Sequence, residues 1–299
     1  MAMTDVVVVS YNSRTHLRDS VVRLVDLPDV NVIVVDNAST DGSLETVSDL
    51  SVTAVPRATN AGFAAGCNEG WRAGEAPYVL FLNPDATLDE RSLSTLVSAL
   101  QADESLGAVA PRIEHPDGSL AWSQRRFPRL RSTYAQALFL HRVFPREPWA
   151  DEMIREASAY DRSRVPEWVS GACMLVRRTA LEALEGWDEG FFLYCEDIDL
   201  CRRLHDLGYG IRYEPAARTI HEGGASASRA ATLPLLAISR VRYAKKHRSR
   251  PYAALERLGV ALGSLTHVVV SRGGLADRAA HGRALIAALS PRTGAWPPG

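Results

Sequence analysis

The chain has 299 residues, 46% of them apolar, enough for one large core or one core with an appendage. A formal charge of −1 argues against a general nucleic-acid binder, which presents a strongly basic face. Cys67, Cys173, Cys195 and Cys201 show neither a Cys-x-x-Cys pair nor zinc-like spacing with His, so they read as reduced thiols of a cytoplasmic protein.

Residues 1–10 carry no basic residue and are too short for a secretory signal. Residues 5–12 then form a β-branched run that delivers Ser10, Tyr11 and Asn12 to the end of a buried strand. Leu17, Val21, Leu24 and Val25 follow at helical spacing. Residues 31–36 repeat the strand pattern and end at Asp36. Residues 52–56 make a shorter third strand, and the small residues after Asn60 and Gly62 open a helix that packs backbone closely. The fourth strand, residues 78–82, is apolar throughout and stops at Asn83-Pro84-Asp85. Strand–helix alternation over about 100 residues predicts a doubly wound, mostly parallel sheet. Asp85 then stands past the carboxyl end of a central strand, where such sheets bind ligands. A carboxylate there suits a divalent cation on phosphate oxygens, and equally suits a turn or a helix cap. No Gly-x-Gly-x-x-Gly follows the first strand and no phosphate loop with Gly-Lys-Ser/Thr occurs, which disfavours a dinucleotide fold and a P-loop NTPase.

Residues 108–113 read as a strand and residues 116–119 as the turn of a hairpin. Residues 122–165, rich in Arg, Pro and aromatics, read as loops and short helices of a variable, partner-specific insertion. A strand over 168–178 and a helix over 179–184 precede the stretch Glu196-Asp197-Ile198-Asp199. At ~100° per residue Asp197 shares a face with Leu200, Cys201 and Leu204. A carboxylate on an apolar face needs a partner, a task or a capping role. Asp199 lies on the opposite side, where an ion pair with Arg203 explains it. A last strand spans 209–214, and His221 follows; a lone His is more often a satisfied group than a ligand. Helices over 235–247, 252–270 and 276–289 close the chain. The run Arg240, Arg242, Lys245, Lys246, Arg248 and Arg250 reads as a solvated face, or as a contact for anionic lipid between residues 240 and 250. The apolar stretch 258–270 falls short of the ~20 residues that cross a bilayer.

Five blocks carry a resemblance. Ser10-Tyr11-Asn12, the loop from Asp36 to Ser43, Asn60-Ala-Gly62, Asn83-Pro84-Asp85 and Phe192 through Leu200 stand in the order found in family 2 glycosyltransferases. The chain is similar to the rhamnosyltransferase-like branch over about residues 5–225. The resemblance implies a GT-A fold, Rossmann-like with a small antiparallel part, over residues 1–229, and a helical extension over 230–299. It implies an inverting transfer from a nucleotide-diphosphate sugar, dTDP-rhamnose before UDP-sugars, to a glycan, glycolipid or small-molecule hydroxyl. Ser10, Tyr11, Asn12, Asp36, Asn60, Gly62 and Asn83 are implied to hold the nucleotide sugar, and Asp85 with His221 to hold Mn²⁺ or Mg²⁺. Asn83 stands where relatives have the first acid of Asp-x-Asp. Asp197 matches the catalytic base and Glu196 its neighbour that orients the acceptor. Gly171, Trp168, Arg125 and Arg126 are assigned to the acceptor side. A homo-oligomer and a peripheral place at the inner face of the plasma membrane are compatible with this reading. A glycan-binding subunit without catalysis and a sugar nucleotidyltransferase are the alternatives, and the missing Gly-rich basic loop after the first strand weighs against the latter.

Overall fold

The computed structural model describes residues 3–223, 229–270 and 274–290; Gly224 and the end of the C-terminal extension, residues 291–299, lie outside them. The strands in chain order are β1 (Thr4–Ser10), β2 (Val30–Asp36), β3 (Thr53–Pro56), β4 (Tyr78–Leu82), β5 (Ala86–Leu88), β6 (Leu106–Glu114), β7 (Gln124–Arg125), β8 (Trp168–Val169), β9 (Cys173–Arg177) and β10 (Gly210–His221). The helices are α1 (Leu17–Val21), α2 (Phe63–Arg72), α3 (Glu90–Gln101), α4 (Leu130–Ala137), α5 (Leu140–Val143), α6 (Arg178–Ala183), α7 (Glu196–Asp206), α8 (Arg229–His247), α9 (Arg250–Val270) and α10 (Gly274–Leu289).

One sheet runs β3-β2-β1-β4-β9-β6-β10-β5. Its first four strands are parallel, β9 runs antiparallel between β4 and β6, and β5 is antiparallel on β10. The unbroken apolar runs of β1, β2 and β4 follow from burial on both faces. Val7, Val9, Ile33, Val35 and Phe81 enter one core, and Val6, Val8, Val32, Val34, Leu80 and Leu82 the other. Each such side chain contributes about 1.5–3 kcal/mol on burial. Gly66 lets α2 lie on β1, because a Cβ there would stand 2.6 Å from Val9 Cγ1.

The parallel half matches the sequence expectation, and the differences lie where the site is built. The strand expected over 168–178 is broken at Ser170-Gly171-Ala172 into β8 and β9. The Ala172 carbonyl accepts from Asn83 N–H at 2.9 Å, so the exit of β4 and the entry of β9 meet. The last strand does not stop at Glu214. A register shift against β6 between Glu214 and Arg218 absorbs the intervening residues, and β10 continues until His221 faces Ala86. Asp89, not Asp85, caps α3, accepting from Ser92 N–H at 2.7 Å.

The cationic run 240–250 is a solvated face only in part: Lys245 and Arg250 are exposed, and Arg240, Arg242, Lys246 and Arg248 turn to partners in the protein. Arg240 donates to Glu152, Glu256 and Thr133. Arg242 and Lys246 meet Asp188, and Lys246 also reaches Asp199. Arg248 donates to the Pro128 carbonyl and lies over the Tyr252 ring. Within the insertion, α4 packs against α9, and Glu152 supplies an acid for Arg240 to meet. The lipid contact expected from residues 240–250 is therefore withdrawn for Arg240, Arg242 and Lys246, which point into the protein.

Candidate active site

A cleft of about 420 Å³ opens at the carboxyl end of β1 and β4. Asn83, Pro84 and Asp85 form one wall, Ser170, Gly171 and Ala172 another, and Phe192 through Tyr194 with Glu196 and Asp197 a third. His221 and the first turns of α8, through Ala231, Thr232 and Leu235, complete the lining.

Asp85 is buried. Its Oδ1 lies 3.1 Å from His221 Nε2, and its Oδ2 accepts from Gly223 N–H at 3.2 Å. Burial pushes this carboxyl up, but the hydrogen bond and charge of His221 and the backbone N–H donors outweigh it, and it titrates below the usual carboxylate range. His221 Nε2 also lies 3.2 Å from Asn83 Nδ2. A carboxylate and an imidazole 3.1 Å apart are spaced as two neighbouring ligands of a small cation, each at roughly 2.1 Å. This oxygen–nitrogen donor set fits Mn²⁺ or Mg²⁺. Among the described residues no group of three or more His, Cys, Asp or Glu gathers to hold a metal, so further positions would fall to substrate oxygens.

Tyr194 and Cys195, both at positive φ (69° and 66°), turn the chain abruptly into α7 and aim Glu196 and Asp197 into the cleft. Two adjacent non-glycine residues in that region cost about 1–3 kcal/mol each, held by the packing around them. Asp197 Oδ2 accepts from Gly171 N–H at 3.1 Å and Oδ1 from Ile198 N–H at 2.8 Å. The N-cap position belongs to Cys195, so capping does not account for Asp197. Burial raises its carboxyl, opposed by these two N–H groups and by the charge of Arg125. Glu196 is raised further, by burial and then by the neighbouring charge of Asp197, and its Oε2 is buried without a hydrogen-bond partner. Of the two, Glu196 is held further toward the protonated form, and Asp197 keeps the donors that favour its carboxylate.

Asp199 is fully buried rather than on an open helix face. Its Oδ2 accepts from Arg203 Nε at 2.7 Å as the spacing predicts, and its Oδ1 lies 2.7 Å from both His247 Nε2 and Lys246 Nζ. Despite burial, these partners lower it to about 2. It ties α7 to α8.

The other sequence-predicted residues divide. Tyr11, Asn60, Gly62 and Gly171 line the cleft. Asn60 Oδ1 accepts from Gly62 N–H, and Phe63 N–H donates to the Phe192 carbonyl at 2.7 Å, which joins α2 to the third wall. Ser10 is fully buried and does not reach the cleft. Asn12 is occupied by Ser39 and Thr40, and the Asp36 carboxylate by Ser39 N–H and Oγ at 3.0 and 2.6 Å. Trp168 is buried with its indole N–H on the Arg126 carbonyl, and Arg126 itself donates to the Met153 carbonyl. Arg125 lies over the Trp168 ring, close enough for its charge to act on Asp197.

A sequence model of the family described as Glycosyl transferase family 2 matches residues 5–184. The chain belongs to this family. It is a glycosyltransferase with the GT-A fold. It is 33% identical over 246 residues to the N-acetylglucosaminyl-diphospho-decaprenol L-rhamnosyltransferase of Mycobacterium tuberculosis, covering 76% of this chain and 79% of that protein. Rhamnosyltransferase WbbL of Escherichia coli is 32% identical over 154 residues, 51% of this chain and 55% of its own length. In fold it resembles a mannosyltransferase of Pyrobaculum calidifontis in complex with GDP-Man and Mn²⁺, with a TM-score of 0.56 at 18% identity over 96% of this chain and 85% of that one.

Several cleft residues of this glycosyltransferase had no sequence signal. Ala231, Thr232 and Leu235 look like ordinary helix core until α8 is seen folded over the site. Asn37 lines the cleft, held by Arg57 Nη1 at 3.0 Å, and its place beside Asp36 was the available hint. Asn68, inside α2, bonds Trp187 N–H and carbonyl and Glu189, fixing the loop that leads to α7.

Proposed function

We propose that this glycosyltransferase moves L-rhamnose from a nucleotide-diphosphate rhamnose, dTDP-L-rhamnose in the first place, to a hydroxyl of a polyprenyl-diphosphate-linked glycan, with inversion at the anomeric carbon. The observation that carries the reading is that Asp197 and the Asp85–His221 pair line one cleft rather than two. The rhamnosyl donor and lipid-linked acceptor are supported by the names of the two rhamnosyltransferase relatives.

Asp85 and His221 would hold a divalent cation, which when bound stabilises the negative charge gathering on the leaving diphosphate as a Lewis acid. Tyr11 and Asn37 lie at the nucleoside end of the cleft. Across it, the acceptor hydroxyl gives its proton to the Asp197 carboxylate as its oxygen bonds to the anomeric carbon. The bond from that carbon to the diphosphate oxygen breaks on the opposite side. Gly171 and Ile198 N–H groups fix the carboxylate plane, and the charge of Arg125 favours its ionised form against burial. Glu196, neutral, places an O–H beside the reacting hydroxyls. Helix α8 belongs to the catalytic unit in this reading, and the acceptor's lipid places the reaction at the inner face of the plasma membrane.

Removing the base isolates the claim. Asp197→Asn is expected to lose ~10²–10⁴-fold in transfer while dTDP-rhamnose with Mn²⁺ still raises its melting temperature as in the parent. Transfer at the parent rate ends the base assignment, and an equal shift by the nucleotide sugar with and without Mn²⁺ ends the metal assignment.

A further inference from the structure

Helix α9 presents an outward face with no charge on it. Leu255, Leu258, Leu262, Leu265 and Val269 recur at spacings of three and four, a stripe about 21 Å long at 1.5 Å per residue. Leu258 is 56% and Val269 67% exposed, in a helix whose remaining faces are packed on α4, α8 and α10. Beyond Arg250 at the helix start, the charged groups Glu256 and Arg257 point away: Glu256 joins Arg240 and Thr133, and Arg257 the Ala288 and Leu289 carbonyls. The apolar surface extends beyond α9. Ile286 of α10 is 71% exposed.

We propose that this face lies on the surface of an anionic lipid bilayer. Charge selects the occupant. Residues 229–299 hold 12 Lys and Arg and 2 Asp and Glu, a formal charge of +10 in a chain of −1; Arg240, Arg242 and Lys246 pair inward with Glu152, Asp188 and Asp199, which leaves +7 for the region. The apolar stripe thus sits on the one strongly basic part of an otherwise acidic protein, the combination that binds anionic membrane. A second copy of the chain fits worse. The positions flanking the stripe, Ala254, Thr266 and Val268, offer no charges to choose a partner helix, and pairing would bring two basic regions together. Nor does α9 cross the membrane despite its length, since Glu256 and Gly259 hold it against Arg240 and Thr133 of the folded domain.

The surface adjoins the cleft through α8. Arg283 of α10 donates to the Ala230 carbonyl at 3.3 Å, and the next residue, Ala231, lines the cleft. A bilayer touching α9 and α10 is one helix away from the acceptor's place of entry.

The test uses the full chain and vesicles without any sugar donor, so it stands apart from the transfer reaction. Co-sedimentation with phosphatidylglycerol–phosphatidylcholine vesicles should retain the protein, more weakly at high salt, and pure phosphatidylcholine should retain it less. The double change Leu258→Glu with Leu265→Glu alters exposed positions, so melting temperature should hold while vesicle affinity falls roughly tenfold or more. Absence of binding by the parent, or unchanged binding by the double variant, overturns the proposal. So does a parent dimer in sedimentation velocity that the double variant dissolves, which assigns the face to a second copy.

Discussion

Glu196, Asp197 and Asp199 share the first turn of α7, yet their surroundings drive their protonation apart. Asp199 meets Arg203, Lys246 and His247 and drops to about 2, Asp197 meets two backbone N–H groups, and Glu196 meets burial and a like charge. The helical period separated Asp197 from Asp199 in the sequence. It did not reveal that the partners of Asp199 come from Lys246 and His247, because contacts between distant segments leave no local period. Glu196 carries a stability cost with a definite sign. Its folded-state titration lies above the unfolded one, so its contribution is full below the unfolded value near 4.5 and is lost as pH rises through the folded value. Glu196→Gln should therefore stabilise the protein by about 0.5–2 kcal/mol at pH 8 and by nothing measurable at pH 4. Melting temperatures at the two pH values decide it, and a pH-independent gain removes the protonated-carboxyl account.

Elements deliver these residues by ending or continuing at unexpected places. Asn83-Pro84-Asp85 was legible because proline ends a buried strand visibly. The continuation of β10 to His221 was hidden, because Pro215 looks like a terminator unless a bulge against β6 absorbs it. The break in the 168–178 segment was equally hidden, since Ser-Gly-Ala is compatible with a strand. The junction of α2 with the Phe192 loop depends on Gly62, at φ +94° with a Cβ position 2.4 Å from the Phe192 carbonyl oxygen. Gly62→Ala should cost about 1–3 kcal/mol and displace the loop that carries Asp197. Thermal melts together with the transfer rate check this, and a variant with parent stability shows the junction to be more pliant than its contacts imply.

For the molecule as a whole, the fold class and the order of the site blocks were readable, and the role of the C-terminal helices was not. Cations in a row look solvated in one dimension; in three, Arg240 is buried between Glu152 of the insertion and Glu256 of α9. Removing it strands two buried carboxylates. Arg240→Ala should lose about 3–5 kcal/mol in denaturant unfolding, in one cooperative transition if α8 to α10 and the sheet form a single unit. A separate early transition would instead mark the helices as an independently folding domain.

The antiparallel strand in the centre of the sheet also sets the order in which the chain can be completed. Leu82 ends β4, but its ladder partner Cys173 is made 91 residues later. At about 5–20 residues per second the ribosome takes roughly 5–18 s to cover that gap. Throughout it Tyr78-Val79-Leu80-Phe81-Leu82 has one side already paired to β1 and the other an open apolar edge. The nascent chain is most prone to stick to its neighbours in that interval, and holding factors would protect it best there.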